Sequence, residues 1–177
     1  VIRVLLSEQE IARQVAILAR QVSEHYASLV SISYPLVVLP VLKGASMFAA
    51  DLLRQLNVPL RLEYLRASSY RNGTTAGALR FDVPELTSLD DHHLLLVEDI
   101  IDTGKTASVI LDELHRCRPR SLKVCTLLDK PSRRVTAVEP DFCGFTIADG
   151  FVIGYGMDLA ERYRELPYIG EMEGCTF

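Results

Sequence analysis

No apolar run in this sequence approaches the roughly 18 residues that a membrane-spanning helix needs. Low-complexity tracts are also missing, and 49% hydrophobic with 24% charged residues is the composition of a chain that buries a core. No repeat or Gly/Pro/Ser-rich linker divides the 177 residues, so one domain spanning 1–177 is expected. An excess of basic residues is lacking too: 19 Lys and Arg against 23 Asp and Glu leave a net charge of -4. That balance argues against nucleic acid or an anionic membrane as partner. Cys117, Cys125, Cys143 and Cys175 lack the close pairs of a structural zinc site. Cys125, inside an apolar run, reads as a small core residue, and reduced thiols point to a cytoplasmic protein. The opening "VIRVLLSEQE" turns polar too soon for a signal peptide, and its first residue is not Met, so a few residues are expected to have been trimmed.

What is present is alternation. Ser7 and Glu10 have capping-box spacing, and Ile11, Val15, Leu18 and Val22 recur at helical intervals, predicting a helix over about 8–28. His25 falls near its polar side and reads as solvated. "PLVVLPVLK" is a predicted strand and "GASMFAADLLRQL" a helix; "VPLRLEYLRASS" is a strand followed by the polar, Gly-containing "YRNGTTAGA". "HLLLVEDI" is a strand, "KTASVILDELHRC" a helix, and "SLKVCTLLD" and "FVIGYG" are further strands. Continuous apolar strands alternating with helices imply an α/β fold, with a mostly parallel sheet covered on both faces.

Ligands of such sheets bind beyond the carboxyl ends of the strands. Those ends carry Lys43, Ser68-Ser69-Tyr70, Glu98-Asp99, Asp129-Lys130 and Asp158. Several charged endings together suggest a shared polar site.

The densest signal is "HHLLLVEDIIDTGKTAS", residues 92–108. "DTGKT" lies between a strand and a helix, where free N–H groups and the helix dipole favour an anion. Gly104 permits close backbone approach, and Thr103 and Thr106 offer hydroxyl donors. The ATP-binding P-loop needs a second Gly five residues before Gly104, where Asp99 stands. A carboxylate there would oppose a triphosphate, so the P-loop reading fails. Two acids just upstream of a phosphate loop suit a ribose, whose vicinal hydroxyls they can accept, with its 5′-phosphate at the helix start.

This stretch closely resembles the signature of the type I phosphoribosyltransferases, which use phosphoribosyl pyrophosphate (PRPP). "SLKVCTLLDKPSRR", "FCGFTIADGFVIGYGMD" and "ERYRELPYIG" are similar to the short bacterial hypoxanthine-guanine branch. The resemblance runs from the first helix to about Gly170. It implies a twisted, mostly parallel sheet flanked by helices, a small hood built from the N- and C-terminal segments, and a mobile loop at about 68–80. It implies that Glu98 and Asp99 hold the ribose hydroxyls and that Asp102, Thr103, Gly104, Lys105 and Thr106 cradle the 5′-phosphate. Asp102 would be the acid/base at purine N7 while N9 attacks the anomeric carbon. Lys130 would select a 6-oxopurine, Phe151 would stack on the base, and the Val152 backbone would meet its edge, with Asp158 nearby. Lys43, Gly44 and Arg164 would bind pyrophosphate, and the peptide before Lys43 would be cis. Asp158, with Glu98 and Asp99, would hold Mg2+ directly or through ribose and water. Ser69 and Tyr70 match the closing loop.

The expected reaction converts hypoxanthine and/or guanine plus PRPP to IMP or GMP and pyrophosphate, in a homodimer or homotetramer. The alternatives are a regulator of this fold that binds nucleic acid, or a transferase preferring xanthine or adenine. Three departures stand out. Ala45 replaces a second Gly after Lys-Gly; the ending "GEMEGCTF" lacks the apolar final strand expected; and Arg133 and Arg134 read as surface or subunit-contact charges.

Overall fold

A computed structural model describes residues 1–69, 79–82 and 89–172. Helix α1 runs Glu8–Tyr26, and its Ser7/Glu10 capping box forms in both directions. Ile11, Val15, Leu18 and Val22 are all buried, as the periodicity predicts. His25 is exposed, with its ring edge-on to Tyr26 and Phe142.

The main sheet is built from β2 (Leu36–Leu42), β3 (Leu60–Leu62), β4 (Leu65–Ser69), β5 (Leu79–Asp82), β6 (His93–Ile101), β7 (Ser121–Asp129) and β8 (Phe142–Thr146). Its order is β5-β4-β2-β6-β7-β8, with β3 also beside β2. All neighbours pair in parallel except β4 and β5. The single strand expected from "VPLRLEYLRASS" is interrupted: Leu60–Leu62 and Leu65–Arg66 pair with different parts of β2.

Strand β6 explains the sandwich, because its side chains alternate. Leu95 and Val97 join α1 and α2 (Ser46–Leu53) in one core. Leu94 and Leu96 join Ile110 and Leu114 of α3 (Lys105–Arg116) in the other. Cys125 is fully buried in the first core, and the three described cysteines are free thiols. Among the described residues, no helix is long and apolar enough to cross a membrane.

A second, antiparallel sheet of order β1-β10-β9 joins β1 (Ile2–Leu6), β10 (Ile169–Met172) and β9 (Val152–Ile153). Two expectations are corrected here. "FVIGYG" is not a strand of the parallel sheet: only Val152–Ile153 is extended, and it pairs with β10. Gly154 and Gly156, at φ +94° and +101°, turn the chain back, and a Cβ on Gly156 would strike the Gly44 carbonyl. The outer parallel strand is β8, which is only partly buried and so carries no continuous apolar run. Nor is a final strand missing among the described residues, because Ile169–Met172 supplies one by pairing with β1.

Candidate active site

The carboxyl ends of β2 and β6 open into a cleft of about 360 Å³, lined among others by Gly44, Glu98, Asp99, Thr103, Thr106 and Arg164. Beside it lies a smaller pocket of about 200 Å³, walled by Lys130, Arg133, Phe151, Val152 and Met157. Asp99, Ile100, Asp102 and Asp158 line both. Asp99 near the end of β6, Asp102 just past it and Asp158 therefore stand where the two spaces meet.

Glu98 is buried, and Asp99 is partly buried beside it. Burial first, and then the neighbouring Asp99 charge, holds the Glu98 carboxyl well above its ordinary range. Burial pushes Asp99 up to about 6, against hydrogen bonds from its own and the Ile100 N–H that lower it. Such acids favour ligands that bring hydroxyl donors or a cation. Gly44 has no side chain because a Cβ there would collide with the Asp99 carboxylate.

Past β6, Gly104 takes φ +80° and opens α3. A Cβ would meet Thr136 Oγ1 and the Arg134 side chain as well as straining this left-handed backbone. Thr103, Gly104 and Thr106 line the cleft. Lys105 is exposed, and its backbone N–H donates to Thr103 Oγ1 at 3.4 Å.

Asp102 Oδ1 is buried and accepts no hydrogen bond from another described residue. Its ion-pair contact is Arg133 Nε at 3.3 Å, and Arg133 Nη1 reaches Asp149 Oδ1 at 3.4 Å. Arg133 is exposed, as expected of a surface charge, and it also walls the smaller pocket. A signal existed: Pro131–Arg133 is a 3-10 turn directly after Lys130, and 3-10 geometry puts residues three apart on one side. The expectation for Arg134 is corrected, since it is mostly buried in an ion pair with Asp129. That pair lines a separate cavity of about 420 Å³, so Asp129 does not join the shared site.

Lys130 is 3% exposed, and its Nζ donates to the Gly150 carbonyl. Burial lowers its pKa, against the attraction of Asp102. Asp158 Oδ1 pairs with Arg164 Nη2 at 2.7 Å, and Arg164 Nη1 donates to the Gly156 carbonyl at 2.7 Å. The Leu42–Lys43 peptide is cis, as the resemblance implied. Lys43 does not line the cleft; its Nζ contacts Glu161 Oε2 at 2.9 Å, a partner the sequence did not suggest. Ser69 ends β4, whereas Tyr70 and the rest of the expected closing loop to residue 78 lie outside the described residues. Among the described residues, no three His, Cys, Asp or Glu converge as a metal cage.

Residues 3–160 match the phosphoribosyl transferase domain family. The chain is 43% identical over 175 residues to the hypoxanthine phosphoribosyltransferase of Salmonella typhimurium, covering 97% of this chain and 95% of that protein. It is 39% identical over 176 residues to the hypoxanthine-guanine phosphoribosyltransferase of Bacillus subtilis, covering 99% and 95%. A crystal structure of a hypoxanthine-guanine phosphoribosyltransferase from Bacillus anthracis superposes with a TM-score of 0.85 at 38% identity, covering 96% of this chain and 97% of that one.

Proposed function

The chain belongs to the phosphoribosyl transferase family, and we infer that it is a purine-salvage enzyme. It moves the phosphoribosyl group of PRPP onto hypoxanthine and/or guanine, giving IMP or GMP and pyrophosphate. The observation carrying this reading is the pair of adjoining spaces joined by Asp99, Asp102 and Asp158. One space suits a sugar phosphate, the other a flat base, and the acid expected to handle the proton stands at their junction.

Glu98 and Asp99 accept the ribose hydroxyls, and the 102–106 loop receives the 5′-phosphate through N–H and hydroxyl donors. The base enters between Phe151, Val152 and Met157, with Lys130 donating to its 6-oxo oxygen. Adenine offers an amino group there and leaves the buried ammonium unmatched. The small β1-β10-β9 sheet, which carries Val152, acts as the hood over this pocket. As purine N9 bonds to the anomeric carbon, the bond to pyrophosphate breaks and the N7 proton passes to Asp102. Lys43, Gly44 and Arg164 meet the departing charge.

Mg2+ suits this donor set, because it keeps most of its waters and binds through one or two carboxylates plus ligand phosphates. Asp158 and Asp99 face the same cleft as such carboxylates, directly or through water, and Glu98 supports them. The bound ion would neutralise charge on the pyrophosphate. Free thiols and the absence of a membrane-crossing helix among the described residues suit a cytoplasmic setting.

The test is turnover of hypoxanthine, guanine, xanthine and adenine with PRPP and Mg2+. Hypoxanthine or guanine should exceed adenine by about 10⁴-fold or more, the discrimination available to a site with a matched buried donor. Lys130→Ala should erode that ratio. Unchanged base preference in the variant would mean that the base sits elsewhere, and nucleic-acid binding without turnover would overturn the enzyme reading.

A further inference from the structure

A single oxygen of Glu161 is shared by two cations. Its Oε2 lies 2.9 Å from Lys43 Nζ and 3.5 Å from Arg164 Nη2. These are the cations assigned above to pyrophosphate, and their shared anionic neighbour is a residue that the reaction does not use.

The two cations are held differently. Arg164 is fixed without Glu161, by Asp158 Oδ1 at 2.7 Å and the Gly156 carbonyl at 2.7 Å. For Lys43, the ion pair with Glu161 is its only one among the described residues, and both side chains are about two-thirds exposed, at 67% and 65%. The carboxylate is delivered by a tight turn. Ala160, Glu161 and Tyr163 take φ +52°, +63° and +76°, and the Glu161 N–H donates to Asp158 Oδ2 at 2.8 Å. Leu159 and Arg162 exchange backbone hydrogen bonds, both at 3.1 Å, across it. Left-handed backbone at three non-glycine residues persists only where its surroundings fix it. Lys43, and less strongly Arg164, also lowers the pKa of the Glu161 carboxyl, so it is an anion at neutral pH.

We propose that the Glu161 carboxylate is a placeholder anion: it occupies the seat of a pyrophosphate oxygen between Lys43 and Arg164, and the ligand binds by displacing it. The inference rests on the reading of those two cations as pyrophosphate ligands. A carboxylate there keeps the cations apart from other anions and positioned near each other. An exposed ion pair of this kind is weak enough to open readily. Once displaced, the carboxylate remains near the incoming diphosphate and repels it, so Glu161 sets an upper bound on PRPP and pyrophosphate affinity.

The experiment is calorimetric titration of inorganic pyrophosphate with Mg2+ into the wild type, Glu161→Gln and Glu161→Gly, alongside steady-state kinetics. Glycine tolerates the left-handed backbone, so it removes the carboxylate even if glutamine perturbs the turn. Both variants should bind pyrophosphate about three- to tenfold more tightly, as expected from losing a weak competing pair and a nearby like charge. The KM for PRPP should fall by a similar factor, while IMP affinity stays unchanged. Equal pyrophosphate affinity in all three proteins, with turnover intact, would overturn the placeholder role alone. A wild type that bound neither pyrophosphate nor PRPP would overturn the assignment of Lys43 and Arg164, and this inference with it.

Discussion

Asp102 lies between two cationic neighbours, Arg133 at 3.3 Å and the Lys130 ammonium, which feels its charge. An ion pair on one oxygen holds the carboxylate in orientation, and in the proposed reaction its other oxygen takes the N7 proton. Replacing it by Asn keeps the shape and removes the proton acceptor. Asp102→Asn should therefore lower kcat by about 10²- to 10⁴-fold, the range typical of a lost general base. PRPP affinity and thermal stability should change little, and a kcat near the wild-type value would show that the proton leaves by another route. The residue-level reading of the sequence reached Asp102, Lys130 and Asp158 because strand ends and family motifs mark them. It missed Arg133 and Glu161, whose roles depend on contacts 31 and 118 positions away along the chain.

The β6–α3 junction shows how an element can be read almost completely in advance. Buried β6, the acids at its end, the glycine and the helix start follow from local pattern, and the observed bounds agree to within a residue. What local pattern did not supply is the packing behind the loop. Gly104 needs both its φ of +80° and the space beside Thr136 and Arg134. Gly104→Ala should lower stability by about 1–3 kcal/mol from left-handed strain plus crowding. That corresponds to a Tm drop of roughly 2–12 °C for a chain of this size. The phosphate loop should loosen as well, raising the KM for PRPP, and an unchanged melting curve would argue that the loop relaxes freely. The elements read less well were those whose pairing is distant: β8 at an edge, and β9, which has two residues and exists only through β10.

At the scale of the whole molecule, the buried acids set a cost that ordinary surface charges do not. Asp99 is pushed up to about 6 by burial, and Glu98 is also raised. A raised carboxyl keeps its proton in the folded state where the unfolded chain has lost it, so this contribution to stability is present below about pH 4. It is lost as pH rises through about 6. For Asp99 the loss is on the order of 1–3 kcal/mol. Asp99→Asn should thus be nearly neutral at pH 4 and stabilising by several degrees in Tm at pH 8, in protein without ligand or Mg2+. Its PRPP binding should weaken. A stability difference independent of pH would show that Asp99 ionises freely. The sequence alone determined the alternating α/β layers, the acidic strand end, the glycine loop before α3 and the family, because each is a local pattern of period, capping or motif. Only the tertiary structure decided that the first and last strands pair in a separate sheet, that Arg133 meets Asp102, and that Glu161 bridges Lys43 and Arg164. Those are encounters between distant segments, fixed by how the sheets pack rather than by any residue's immediate neighbours.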